Sequence, residues 1–107
     1  MDDRQRVGTT GEKVAEAFLH RRGARVLGRN IENEHGEIDL VAKIGGQLVA
    51  LEVRTRIGTD PIDAFDWSKI DRVRRTAAHL QPPCSRIDLI TIELTDSGAN
   101  IRWLPDV

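Results

Sequence analysis

Two apolar runs meeting at Gly45-Gly46 constrain this chain more than any other feature. The stretch Gly36 to Arg56, GEIDLVAKIGGQLVALEVRTR, reads as a β-hairpin. Branched apolar residues favour strands, and a Gly-Gly pair accommodates the positive φ angles that a two-residue turn demands. With the glycines at the turn, Ile44 faces Gln47, Asp39 faces Glu52 and Glu37 faces Arg54. Side chains alternate between the two faces of a strand, so these four charged residues share one side. The other side carries Ile38, Leu40, Ala42, Val49, Leu51 and Val53. One face is built to pack, and the opposite face gathers three carboxylates around one guanidinium.

Directly opposed carboxylates have Cβ atoms about 4.5–5.5 Å apart and repel unless a positive charge lies between them. An arginine or a metal ion can supply that charge. In the first reading Arg54 pairs with Glu37 on a solvated face, an arrangement that contributes about 0–1 kcal/mol. In the second, Asp39 and Glu52 form the protein part of an inner shell for Mg2+ (or Mn2+). Such ions are held by one or two carboxylates together with waters and phosphate oxygens. They polarise a phosphoryl group and acidify a bound water, which is the chemistry of phosphodiester hydrolysis.

A chain of 107 residues suffices for one domain with a single core, spanning 1–107, and is too short for two. No apolar run is long enough to cross a bilayer and the polar start MDDRQR does not resemble a signal peptide, so the expectation is a cytoplasmic protein without a membrane partner. Cys84 is the sole cysteine, which excludes an intrachain disulfide and a cysteine-based zinc site. A net charge of −1 means that any nucleic-acid binding must be local. Thirteen arginines against three lysines suit bidentate phosphate contact, although a genome rich in G and C produces the same bias.

Along the chain, Thr9 and Glu12 have capping-box spacing and precede Val14, Ala15, Phe18 and Leu19 at helical intervals, which predicts a helix from about Thr10 to Arg22 stopped by Gly23. RVLGRNI forms a first strand and ENEHG a turn into the hairpin. IGTDPIDAF has the composition of a loop. Asp66 or Ser68 caps a second helix with Ile70, Val73, Ala77 and Leu80 on its apolar face and Arg72, Arg75 and His79 on the other, ended by Pro82-Pro83. Ile87 to Leu94 is apolar on both faces, as in a covered strand, and Ile101 to Leu104 forms a short last strand. The order is αβββαββ, with the second helix crossing over between two parallel strands.

These residues carry a resemblance. Gly11-Glu12 in the first helix, GEIDL (Gly36 to Leu40), LEVRTR (Leu51 to Arg56), Lys69 and RIDLI (Arg86 to Ile90) resemble, in order and over nearly the whole chain, the YraN-like family of proposed endonucleases. That family is similar to the Holliday-junction resolvases and to the restriction-endonuclease-like PD-(D/E)XK nucleases. The resemblance implies an α/β, restriction-endonuclease-like domain with a mixed sheet and two main helices. It implies Asp39 and Glu52 as metal ligands, Glu12 as a third, helix-borne carboxylate, Mg2+ or Mn2+ as cofactor, and DNA, including branched DNA, as substrate. Without it, Glu12 reads as the reciprocal partner of a capping box.

The sequence departs from the family pattern at Arg54, where lysine is usual. Arginine stays protonated and offers a rigid fork of donors, so Arg54 suits a phosphate clamp and not a general base. Arg56, Lys69 and Arg72 complete the candidate DNA contacts. His35 reads as a solvated turn residue, Trp67 and Trp103 as core or subunit contacts, and Asp88 as a hydrogen-bonded residue at the start of a strand. The leading expectation is a metal-dependent DNA endonuclease. The alternative is a nucleic-acid-binding or assembly module that keeps the nuclease fold with weak or no turnover, and a third reading is a purely structural partner. Symmetric cutting of a junction would call for a homodimer.

Overall fold

The computed structural model describes Asp2–Val107. They form α1 (Asp3–Arg21), β1 (Arg25–Asn33), β2 (Gly36–Ile44), β3 (Gln47–Ile57), a 3-10 turn (Pro61–Ala64), α2 (Ser68–Ala78), β4 (Arg86–Thr95) and β5 (Gly98–Leu104). The strands make one five-stranded mixed sheet in the order β1-β2-β3-β4-β5. Only β3 and β4 are parallel, joined across α2, and the other neighbours are antiparallel. The expected αβββαββ order holds.

Each helix covers one face of the sheet. Ala15 and Leu19 of α1 pack on Leu40, Ala42, Val49, Leu51, Val53, Ile90 and Ile92. Ile70, Val73 and Ala77 of α2 pack on Ile38, Val41, Ala50 and Ile87, with Cys84 in the same cluster. Burying a Leu or Ile side chain stabilises by about 1.5–3 kcal/mol, so these two layers carry the fold.

Gly45 and Gly46 turn the hairpin with φ of 56° and 83°, and the predicted register holds from Ile44–Gln47 to Leu40–Leu51. There the ladder stops. Val53 N–H donates to Asp39 Oδ2 at 2.8 Å, so a side chain takes a bond that a strand neighbour would otherwise make. Glu37 consequently does not face Arg54; it pairs with Glu32 on β1. Alternation also breaks at Asp39, because Ile38 joins the α2-side cluster while Leu40 joins the α1 side.

The first helix begins seven residues earlier than its expected start. Asp2 is the N-cap in a reciprocal box with Gln5, at 2.8 Å and 3.3 Å, which leaves Thr9 and Glu12 in the helix interior. A cap is worth about 1 kcal/mol and offsets the roughly 0.5–1 kcal/mol cost of an interior glycine. Gly11 is there for contact: a Cβ on it would lie 1.7 Å from Thr55 Oγ1 on β3. Its absence lets α1 lie directly on the strand that bears Glu52.

The expected loop after Arg56 contains the 3-10 turn, capped by Asp60, which accepts from Ile62 N–H at 2.9 Å and from Arg102 Nε at 3.0 Å. Asp66 accepts from Ser68 N–H and Oγ just ahead of α2. The last strand starts at Gly98, three residues earlier than expected. Asp88, fully buried, takes Arg86 through both oxygens at 2.8 and 2.7 Å, Trp103 Nε1 at 2.8 Å and Asp106 N–H at 2.9 Å, so it ties the C-terminal segment to β4. Among the described residues no helix is long and apolar enough to cross a membrane.

Candidate active site

The parting of β2 from β3 opens a cleft of about 1300 Å³, and both helices reach it with their N-terminal halves. Its floor is acidic, with Glu12 from α1, Glu37 and Asp39 from β2, and Glu52 from β3. Arg54, Arg56, Lys69, Arg72 and Arg75 line the same space. All seven residues singled out from the sequence, Glu12, Asp39, Glu52, Arg54, Arg56, Lys69 and Arg72, therefore border one cavity. Gly36 permits this approach of α2, since a Cβ there would meet Arg72 Cγ and Thr76 Oγ1 at 3.0 Å.

Glu52 is the most constrained of the acids, at 6% exposure. Burial, then the hydrogen bond and the charge of Asp39, push its carboxyl up to about 8. The Arg54 guanidinium, which donates from Nη2 to Glu52 Oε2 at 2.7 Å, pulls the other way and is outweighed. A carboxyl raised this far holds its proton more tightly than an ordinary glutamate, so a proton shared with Asp39 and the Arg54 guanidinium together offset the charge of the pair. Arg54 belongs to Glu52 on its own strand and not to Glu37, which corrects the cross-strand pairing expected from the hairpin alone. Its guanidinium lies 5.9 Å from the centroid of the Phe65 ring, and its Nε is buried without a partner.

Glu12 lies close enough to feel the others. Burial raises its pKa above the ordinary glutamate value, and Asp39 and then Glu37 raise it further. Because Asp2 caps the helix, Glu12 has no capping duty and faces the cleft.

Asn30, which carries no signal in the hairpin pattern, bridges two of the acids from β1. Asn30 on β1 has φ of 49°, and its amide, turned with nitrogen toward the acids, lies 3.2 Å from Glu12 Oε1 and 3.3 Å from Glu37 Oε1. A neutral double donor between two carboxylates lowers their repulsion without adding charge. The available signal was an asparagine inside a strand, a residue type that tolerates left-handed backbone. His35 stacks on His79 with ring centroids 3.9 Å apart, and neither ring borders the cleft. Trp103 is a fold residue, bonded to Asp88 and edge-on to Phe18. Trp67, 48% exposed, is not a core residue of this chain.

Among the described residues no three His, Cys, Asp or Glu side chains converge as a ready-made metal cage. The adjacent carboxylates of Asp39, half-buried, and Glu52, buried, are a donor set that fits a hard divalent cation completed by water and phosphate oxygens.

Residues 11–92 match the uncharacterised protein family UPF0102. Similar chains include a UPF0102 protein of Symbiobacterium thermophilum, 41% identical over 103 residues, covering 88% of this chain and 87% of that one. A UPF0102 protein of Chloroflexus aurantiacus is 37% identical over 103 residues, covering 92% and 86%. One from Parafrankia is 41% identical over 104 residues, covering 89% and 88%.

Proposed function

This chain belongs to the uncharacterised protein family UPF0102, and from that premise and the shape of its cleft we propose that it is a metal-dependent DNA endonuclease, with branched DNA among its substrates. The observation that carries the reading is the pairing of Asp39 and Glu52, two carboxylates held in contact at the buried end of a cleft lined by arginine and lysine. Two acids in contact in a low-dielectric site repel unless a proton or a cation lies between them, and a divalent ion bound there would displace that proton. In this reading Asp39 and Glu52 hold Mg2+ or Mn2+. The ion supplies Lewis acidity toward the scissile phosphate and a hydroxide source at neutral pH.

The remaining roles belong to the chain itself. Val53 N–H holds Asp39 through Oδ2 at the border of the cleft. Glu12, with its raised pKa, receives or returns a proton on the α1 side. Arg54 opposes the charge that develops on the phosphoryl oxygens, and Arg56, Lys69 and Arg72 bind flanking phosphates.

The test is incubation of the pure protein with Mg2+ or Mn2+ and branched, flapped and linear DNA. Cleavage is expected in wild type and lost in Asp39→Ala. Metal-dependent cleavage that persists in Asp39→Ala would sink the assignment of this site.

One observation favours a second reading. Arg54 stands where the resembled nucleases have lysine, and its 2.7 Å bond to Glu52 supplies an internal counter-charge. A cleft closed in that way binds nucleic acid without hydrolysing it. DNA binding without cleavage, and no activity gained in Arg54→Lys, is the outcome that selects this reading.

A further inference from the structure

The large apolar side chains exposed among the described residues are Leu27, Ile57 and Trp67. Ile57 lines the acidic cleft, and Trp67 lies between Asp66 and Ser68, which line it too. The Trp67 ring stands edge-on to Phe65, with centroids 5.0 Å apart and planes at 87°. Phe65 in turn lines the cleft beneath the Arg54 guanidinium. An unbroken line of contacts therefore runs from Glu52 through Arg54 and Phe65 to an indole that is half open to solvent. Trp103 shows the contrast, since its Nε1 is committed to Asp88 and its ring to Phe18.

Burying exposed indole surface is favourable, and about half of Trp67 is open to a ligand. The cations of the same cleft select its occupant. Phosphates of a passing strand can pair with Arg56, Lys69 and Arg72 while a base covers the ring, whereas an apolar protein patch would cover the ring and leave those cations unmatched. Asp66, the acid on this rim, is already bonded to Ser68 N–H and Oγ. Aromatic faces beside a cationic groove are how proteins hold single strands, because every base has a π-face. Bases inside a continuous duplex offer none.

We propose that Trp67 is a stacking platform for an unpaired nucleobase at the rim of the cleft, held in place by Phe65, so that the favoured ligand is a flap, fork or frayed end. The proposal rests on the reading of the cleft as a nucleic-acid site and adds the class of substrate it takes.

The experiment uses the full chain in EDTA, titrated with a labelled single strand, a flap and a blunt duplex of equal length, following tryptophan emission and anisotropy. The single strand and the flap should quench emission. Trp67→Ala should weaken both by roughly 5- to 150-fold, with less than about a twofold effect on the duplex. Trp67→Phe should restore most of the affinity, since it keeps an aromatic face. Equal loss on all three ligands, or no loss, overturns the proposal. So does unchanged DNA affinity with a dimer dissociating in Trp67→Ala, which would assign the indole to self-association. A parallel Mn2+ cleavage assay separates the two readings. Trp67-dependent binding without cleavage overturns hydrolysis and supports the platform, whereas cleavage that is lost in Asp39→Ala but treats flap and duplex alike in Trp67→Ala does the reverse.

Discussion

Asp39 and Val53 are joined across the hairpin by a hydrogen bond in which a carboxylate stands in for a strand: Oδ2 accepts from Val53 N–H at 2.8 Å. The bond joins Asp39, one residue past the last regular pair Leu40–Leu51 on β2, to Val53, two residues past it on β3. It stops the ladder and aims the acid at its neighbour. Structure and charge are thus set by the same contact.

Two substitutions at Asp39 should separate those roles. Asp39→Asn keeps an oxygen for Val53 N–H, and it removes a charge that raises the pKa of both Glu52 and Glu12. We expect its stability at pH 7 to equal or exceed wild type, with Mn2+ binding lost in calorimetric titration. Asp39→Ala leaves Val53 N–H unpartnered and should cost about 1–3 kcal/mol in denaturant unfolding, besides losing the metal. Equal stability of the two variants would show that the bond contributes nothing.

Gly11→Ala tests how Glu12 reaches the cleft. The new methyl would lie 1.7 Å from Thr55 Oγ1, 2.7 Å from Thr55 Cβ and 2.9 Å from Thr55 Cγ2, so α1 must move off β3. Overpacking of this kind costs about 1–3 kcal/mol, although alanine is otherwise the better helix former. Thr55→Ala in the same chain removes Oγ1 and Cγ2 but leaves Cβ, so thermal melts should show partial rescue. A neutral or stabilising Gly11→Ala would mean that the helix and strand are not held as close as described.

The pattern of what could be read in advance follows from locality. The pairing from Ile44–Gln47 to Leu40–Leu51 was legible because a two-residue Gly-Gly turn fixes register for several pairs. The failure came at Asp39 itself, where a side chain replaced a backbone partner, and turn geometry has no information about that. Thr9 and Glu12 imitate a helix start, and only the competing cap at Asp2 and the contact of Gly11 with Thr55 show why the helix runs through them. Asn30 was invisible because its role is created by α1 and β2 arriving on either side of it. Trp67 was read from residue type as a core or subunit contact, and residue type has no information about its position beside Phe65 at the end of the 3-10 turn, where it is half exposed. Asp88 needed the C-terminal segment to explain it.

The pKa of Glu52 makes stability depend on pH with a definite sign. Its carboxyl is pushed up to about 8 in the folded chain from an ordinary value of 4.5. Between those values the unfolded chain has lost a proton that the folded chain keeps, so folded stability falls as pH rises from about 4.5 to 8 and levels off above. Glu12, also raised, adds to the same trend. Glu52→Gln should flatten this slope and be more stable than wild type at pH 8 by about 1–3 kcal/mol. Metal binding should behave in the opposite sense, tightening as pH rises, because the ion displaces the proton. Chemical denaturation at pH 5 and pH 8, with and without Mn2+, measures both, and a wild-type stability that rises over this range would contradict the geometry of the pair.

Arg54→Lys tests whether the arginine holds the site in a binding state. The guanidinium is bonded to Glu52 at 2.7 Å and lies 5.9 Å from the Phe65 ring centroid, two contacts that a shorter, point-charged ammonium does not reproduce. Because the pair is partly exposed, its loss should cost no more than about 1 kcal/mol of stability. The chemistry should change more. An ammonium can orient a water and, unlike a guanidinium, can exchange its proton, and a general acid or base is worth about 10²–10⁴ in rate. Under the nuclease reading, Arg54→Lys therefore raises Mn2+-dependent cleavage of flapped DNA by at least about tenfold, and adding Asp39→Ala abolishes the gain. If neither wild type nor Arg54→Lys cuts any substrate while both bind it, the cleft is a binding site whose cation is the arginine itself.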